Sequence, residues 1–436
     1  MSKITKRILS LFCLLALLIA GRALILYLIE PADYSIYFNR ILKNKAEAHQ
    51  DHIDLVFAGA SRTLRTFDPA VFEEVTGLDC VFNAASGLQP VESSYYMLRE
   101  LISRFHPQYA VLGVSWDGLL ESDSTLAKVI VLDRLHGKNR LDYLRNAFRP
   151  EEYPDAVSLV YRFRNNFTAE KIRENLRDKQ ELRGNNYTQR LSPPDLYTDS
   201  GFIYSYQTGD IPDYAPIRYD PAKVDPKKEA ALREIVSLCE ENGVRLFLVS
   251  APTSVMNLWR IAGYQDAVDF YTAFAAEHGI DYVNLNYLRG REEWLGDELM
   301  FDFNHVNGEG AERVSRKYAG YLDALIRGQE APDLFYRDLD EFRSEVDRII
   351  AVGANISVTD LTAHIRVTST QTEGISPLYR ISISADDESY TPLTDWTDET
   401  EFVFDVSAYR GTVHFLIEAM SPDGRPGCSI KYHEPV

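Results

Sequence analysis

The chain has 436 residues, 45% of them hydrophobic and 12% aromatic, a globular composition with length for two or three domains. Its formal net charge of −19 argues against nucleic acid as a partner, because phosphate binding needs a basic face. The four cysteines, Cys13, Cys80, Cys239 and Cys428, have no C-x-x-C spacing, so they suggest neither a thiolate metal site nor a defined disulfide.

Lys3, Lys6 and Arg7 precede an apolar run from Ile8 to Ile29. As a helix it is roughly 33 Å long, enough to cross a bilayer. The apolar character resumes at Ala23 after Gly21 and Arg22, which favours an uncleaved signal anchor over a cleaved signal peptide. Basic residues ahead of the span place the rest of the chain outside the cytoplasm, as the body of a single-pass cell-membrane protein.

Beyond the anchor, "YSIYFNRILKNKAEA" predicts a helix and "IDLVFAGAS", Ile53 to Ser61, a strand buried on both faces. The alternation then repeats. "FDPAVFEEVTG" is a short helix with Pro in its first turn, "CVFNAASG" a strand, "VESSYYMLRELISRF" a helix and "YAVLGVSW" a third strand. "DPKKEAALREIVSLCEENG" is an amphipathic helix closed by Gly243, followed by the strand "VRLFLVSAP". The helix "AVDFYTAFAAEHG", the strand "IDYVNLN" and the helix "GEGAERVSRKYAGYLDALIRG" complete the series. Such alternation implies a parallel sheet covered by helices on both faces, a three-layer α/β/α flavodoxin-like domain.

The rhythm breaks between about 119 and 225, a stretch rich in Tyr, Pro and Asp that reads as an insertion, either shaping a substrate groove or packed as structure. From Gln329 the composition changes, and "DLDEFRSEVDRIIAV" reads as a linking helix. "ISVTDLTAHIRVTS", "LYRISISADD", "EFVFDVSAY" and "GTVHFLIEAMSPDG" alternate as strands do, predicting a small all-β sandwich. The domains expected are therefore an anchor over 1–30, an α/β domain over 31–328, a helical linker over 329–351 and a β-sandwich over 352–436.

The chemistry centres on "MFDFNHVNGEGAERVS", where Asp302 lies three residues before His305. Upstream, "VFAGASRTLRTFDP" sets Ser61 just past the first strand, at the carboxyl edge where parallel sheets place their sites. In the catalytic reading His305 takes the Ser61 proton as general base and Asp302 orients the imidazole. Each residue also has a structural reading: Ser61 as a cap, Asp302 as the N-cap of the last helix, His305 as a surface histidine. The G-x-S-x-G elbow of α/β-hydrolases is absent, since Thr63 stands where its second Gly would be. Asp302 and His305 have no further His or Cys nearby to complete a metal site, and no cofactor is expected.

The blocks "GAS" (Gly59 to Ser61), "NAASG" (Asn83 to Gly87) and "DFNH" (Asp302 to His305) resemble those of the SGNH hydrolase superfamily over about residues 50–328. With its N-terminal anchor, the chain looks like the membrane-anchored extracytoplasmic branch typified by the D-alanyl-lipoteichoic acid biosynthesis protein DltD and by polysaccharide O-acetylation relatives. The tail "LYRISISADDESYTPLTDW" resembles triple-tyrosine-motif modules of bacterial surface proteins, which implies binding or spacing.

The resemblance implies an oxyanion site made by the backbone N–H groups of Ser61 and Gly87. Two features depart from the pattern. Ala60 replaces the acidic residue of the first block, and "GVSWDG" lacks the Asn of the third, leaving Ser115 as the candidate third donor. The reading is an extracytoplasmic serine acyltransferase or esterase acting on a cell-envelope glycan or teichoic acid, with a multispanning membrane acyltransferase as partner. The alternative is a non-catalytic carbohydrate-binding or scaffold protein of an envelope complex.

Overall fold

The computed structural model describes residues 3–31, 34–120, 124–184, 189–190, 195–208, 217–345, 349–371, 374–422 and 427–435. Contacts divide the chain into two units. The first comprises Met1–Val114, Gly118–Tyr206 and Val224–Phe247; the second comprises Ser115–Asp117, Gln207–Lys223 and Leu248–Val436.

Helix α1 (Lys3–Ile29) contains a 23-residue span, Arg7–Ile29, long and apolar enough to cross a membrane; it is exposed over most of its length and becomes buried at its last residue, Ile29. Its last carbonyls, which a helix cannot satisfy itself, are met from the insertion. Lys179 Nζ donates to Tyr27 O (2.6 Å), Asn175 to Leu28 O (3.1 Å) and Asn166 to Ile29 O (2.9 Å).

Helix α2 (Tyr34–Ala48) leads into β1 (Leu55–Ala58), α3 (Ser61–Thr66) and α4 (Pro69–Thr76). Then come β2 (Val81–Asn83), α5 (Val91–Phe105) and β3 (Tyr109–Val114). All four residues of β1 are buried, as in a strand covered on both faces. The strand is shorter than its apolar run, and a short helix that the pattern did not show begins at Ser61 itself, ahead of the expected one near Asp68. Asp68 caps α4, its carboxylate accepting from Ala70 N at 3.0 Å.

The insertion is mainly helical, with α6 (Thr125–Arg134), α7 (Gly137–Ala147) and α8 (Ala169–Gly184) as its longer pieces. Val131, Leu132, Leu135, Tyr143 and Phe148 form a buried cluster with Tyr96 of α5. This half of the insertion is therefore packed on α5, and Lys128, Ala147 and Phe148 also line a cavity there with Tyr95 and Tyr96.

Next come α9 (Pro226–Glu241), β4 (Arg245–Ser250), α10 (Tyr264–His278), β5 (Asp281–Asn284) and α11 (Gly308–Ile326). The central sheet has the order β2-β1-β3-β4-β5, and β1 pairs in parallel with both β2 and β3. That is the flavodoxin-like strand order.

Only part of the expected linker is helical, and that part is packed. Helix α12 (Leu339–Glu345) is short, and Ile349 already begins β6 (Ile349–Thr359), because "IIAV" is β-branched and pairs with the next strand. Phe342, Leu339 and Tyr336 are buried, with Phe342 stacked on Tyr287 at 6.3 Å and Leu339 N donating to Gln265 at 2.9 Å. A chain ending at Gly328 should therefore melt at lower temperature than one ending at Glu345. The expected cost is about 3–5 kcal/mol, since Phe342 and its neighbours leave a cavity over Tyr287. Equal melting of the two would show that this segment contributes nothing to the α/β core.

The C-terminal module continues with β7 (Thr362–Gln371), β8 (Leu378–Ser384), β9 (Glu401–Asp405), β10 (Thr412–Met420) and β11 (Cys428–Pro435). They form two antiparallel sheets, β6-β7-β9 and β8-β10-β11, the latter extended at its β8 edge by Thr391–Pro392. The alternating inward residues of both, among them Ile365, Val367, Ile381, Phe415 and Ile417, share one core.

Candidate active site

In the first unit Ser61 opens α3 directly behind β1. The N-cap is Ala60, without any side-chain cap, so Ser61 does not serve as a capping residue. As first helical residue, it has an N–H outside the i→i−4 ladder. Gly59 precedes it at φ 142°, a conformation open chiefly to glycine. A β-carbon at Gly59 would also stand 2.5 Å from Thr63 Oγ1 and 2.9 Å from Gly113 O. Thr63 thus occupies the space of a second elbow glycine by leaning on Gly113, where a β-carbon would meet Thr63 Oγ1 at 1.7 Å.

The "NAASG" block folds beside this turn. Ser86 N donates to Gly59 O (3.1 Å), and buried Asn83 donates to Thr63 O and Phe67 O, both at 2.9 Å, closing the end of α3. From α6, fully buried Arg134 donates Nη1 to Ala84 O (2.9 Å) and Ala85 O (3.2 Å), with its guanidinium 3.9 Å from the Phe38 ring centroid. Gly87 follows this anchored stretch, half-buried.

In the second unit Asp302 and His305 are paired. His305 Nδ1 lies 2.9 Å from both Asp302 oxygens, and Oδ1 also accepts the backbone N–H of Asn304 (2.7 Å) and His305 (2.9 Å). A nitrogen facing a carboxylate must carry the proton, so this contact selects the tautomer whose lone pair is on Nε2. Burial acts to raise the Asp302 pKa, but the hydrogen bonds from the His305 ring and the two backbone N–H groups prevail and hold it below the usual carboxylate value. That contribution is fully present above about pH 4 and disappears as pH falls through the lower folded value. Asp302→Asn should abolish this acid-side loss, read as a flatter melting temperature between about pH 5 and 2.

The pair lies just ahead of the last helix, and Asp302 is not its N-cap. Met300–Asp302 and His305–Val306 form a small antiparallel ladder, and α11 is capped separately by Asn307, whose Oδ1 accepts from Gly310 N at 3.0 Å. Beneath the turn is a polar network. Thr253 Oγ1 and Ser254 N donate to Phe303 O (2.5 and 3.0 Å), and Asn257 Nδ2 donates to Asn304 Oδ1 (2.8 Å) and Thr253 Oγ1 (2.6 Å). Buried Arg291 donates to Thr253 O at 2.7 Å, and Asn286 Oδ1 accepts from Thr253 N at 2.9 Å. Ser115 donates its hydroxyl to Asp117 Oδ1 (2.7 Å), and its carbonyl accepts from Tyr271 (3.0 Å).

Sequence reasoning found the Asp302–His305 pair but missed Arg134, Thr253, Asn257 and Arg291. The one available signal was polar density in "APTSVMN" directly after an apolar strand.

No known protein family profile and no curated protein matches the chain. Among solved structures, a candidate acylhydrolase from Bacteroides fragilis aligns over 63% of this chain and 95% of its own, at 11% identity and a TM-score of 0.28. The lipase/acylhydrolase from Enterococcus faecalis aligns over 63% and 97%, at 9% identity and a TM-score of 0.28. An engineered protein aligns over 94% and 97%, at 11% identity and a TM-score of 0.14. Similarity this loose decides nothing about activity; strand order and side-chain geometry carry the reading.

Proposed function

We propose that the chain is a membrane-anchored, extracytoplasmic serine acyltransferase or esterase of SGNH type that acts on a cell-envelope glycan or teichoic acid. The observation that carries this is the Asp302–His305 pair, with Nδ1 held at 2.9 Å by both carboxylate oxygens. A structural surface histidine needs no such orientation; a general base does. In this proposal His305 removes the Ser61 proton, Ser61 attacks an acyl donor, and the resulting acyl-enzyme passes its acyl group to a polymer hydroxyl or to water. The Ser61 and Gly87 N–H groups stabilise the oxyanion. An anchored enzyme stands beside a membrane-derived donor, which favours transfer and a multispanning acyltransferase as its supplier.

The scaffold reading, with a C-terminal carbohydrate-binding sandwich, is favoured by one observation: the Ser115 hydroxyl donates its proton to Asp117 and does not offer it to an oxyanion. Covalent trapping of Ser61 separates the two readings. Topology is tested apart from chemistry. A reporter fused after Val436 that functions only outside the cytoplasm is expected, because basic residues precede the span; activity only inside would overturn the location.

A further inference from the structure

Away from the candidate active site, Asp387, His414 and His433 converge on the outer face of the β8-β10-β11 sheet, each offering a ligand atom within 4.8 Å of the others. His414 and His433 are directly opposed across the β10–β11 ladder, with their Nδ1 atoms 2.6 Å apart. One Nδ1 must donate and the other accept, so an ion held by both nitrogens takes the place of that shared proton, which moves to Nε2 of the donating ring. Asp387 reaches it from the turn after β8, in a left-handed conformation at φ 62°. The turn is fixed by Asp386, which accepts from Ser384 Oγ, Glu388 N and Ser389 N. The Asp387 carboxylate already attracts a cation: Lys431 Nζ lies 3.1 Å from its Oδ1, and Tyr390 donates to the same oxygen.

We propose that Asp387, His414 and His433 form a binding site for a borderline divalent cation of the zinc class. Two imidazole nitrogens and one carboxylate are the donor types such ions take, with a fourth position left to water. Bonds of about 2.0–2.1 Å in tetrahedral geometry place donors roughly 3.3 Å apart. Loading through the two Nδ1 atoms therefore requires the rings to separate by about 0.7 Å, the Asp387 carboxylate to close in from within 4.8 Å and the Lys431 ammonium to swing away. All three are side-chain rotations on a solvent-facing surface. The three ligands lie 19 or more positions apart in sequence, with no H-x₃₋₅-H spacing, which is why the sequence carries no metal signature. The bound ion would tie β10, β11 and the β8 turn together, bracing the module independently of any chemistry at Ser61.

The test uses the full chain, free of affinity tags, purified in detergent, stripped with chelator and titrated with zinc chloride. One equivalent is expected to bind with Kd below about 100 µM, and cobalt(II) to give the visible absorption of a four- or five-coordinate site. His414→Gln and His433→Gln are expected to weaken zinc binding by roughly 100-fold or more, since loss of even a supporting partner costs 10–100-fold. Lys431→Met should leave binding intact or tighten it, because it removes the competing ammonium. His305→Ala should bind zinc as the parent does, locating the ion away from the catalytic pair. Zinc should also protect His414 and His433 of the unaltered chain from diethylpyrocarbonate, read by peptide mass. No binding at millimolar zinc, binding unaffected by either histidine substitution, or unprotected histidines would overturn the proposal.

Discussion

A serine-directed fluorophosphonate is expected to label the detergent-solubilised chain at Ser61, and His305→Ala to slow that labelling on the order of 10³-fold or more. Without the base, the hydroxyl is a weak nucleophile at neutral pH. Asp302→Asn is expected to retain about one to two orders of magnitude more reactivity than His305→Ala, since the base survives and only its tautomer and orientation are lost. Two of the four thiols are withdrawn from competition for the probe: burial pushes both Cys80 and Cys239 up to about 12, leaving almost no thiolate there at neutral pH. Labelled-peptide mass spectrometry and second-order rates provide the readout. Absent labelling of the intact chain, or an unchanged rate in His305→Ala, would remove the catalytic reading and leave the scaffold reading.

Gly113→Ala is expected to destabilise the fold by at least about 3 kcal/mol, because the new methyl would meet Thr63 Oγ1 at 1.7 Å inside a closed contact. Neither side can easily give way. Thr63 is buried, and the Thr63 carbonyl is held by Asn83 at 2.9 Å. Adding Thr63→Ala removes the clashing oxygen and should recover part of the loss, although the Thr63 β-carbon at 3.0 Å keeps the recovery incomplete. Denaturant melts of the two single variants and the double variant give the coupling. Simple additivity would mean that Thr63 does not occupy the Gly113 surface. Because α3 also carries Ser61 at its start, Gly113→Ala should lower fluorophosphonate reactivity even where the protein remains folded.

Several elements were legible from short-range pattern alone. The Ile8–Ile29 run produces an apolar helix of membrane-crossing length, and the strand–helix alternation produces a parallel sheet flanked by helices, whose 2-1-3-4-5 order only the structure supplies. Asp302 and His305 were legible because three residues of separation let one turn bring a carboxylate to an imidazole, a local geometry that needs little tertiary help. The bounds of β1 were not legible, since its apolar run continues past Ala58 and does not show where the backbone begins to coil. "IIAV" was misread as helix because four apolar residues lack a resolving period, and pairing with β7 decides in favour of strand.

By itself the sequence determined the apolar anchor helix, the order of strands and helices, and the Asp302–His305 pair, all properties of neighbours along the chain. The tertiary structure alone decided that Arg134 reaches 50 positions back to Ala84 and Arg291 38 positions back to Thr253. It also decided that Gly113 makes room for Thr63, that Phe342 folds onto Tyr287, and that two histidines and an aspartate meet on the last sheet. The physical reason is the same in each case: these contacts depend on which surfaces and strands come to lie against one another, and periodicity along a single element carries no record of its partner.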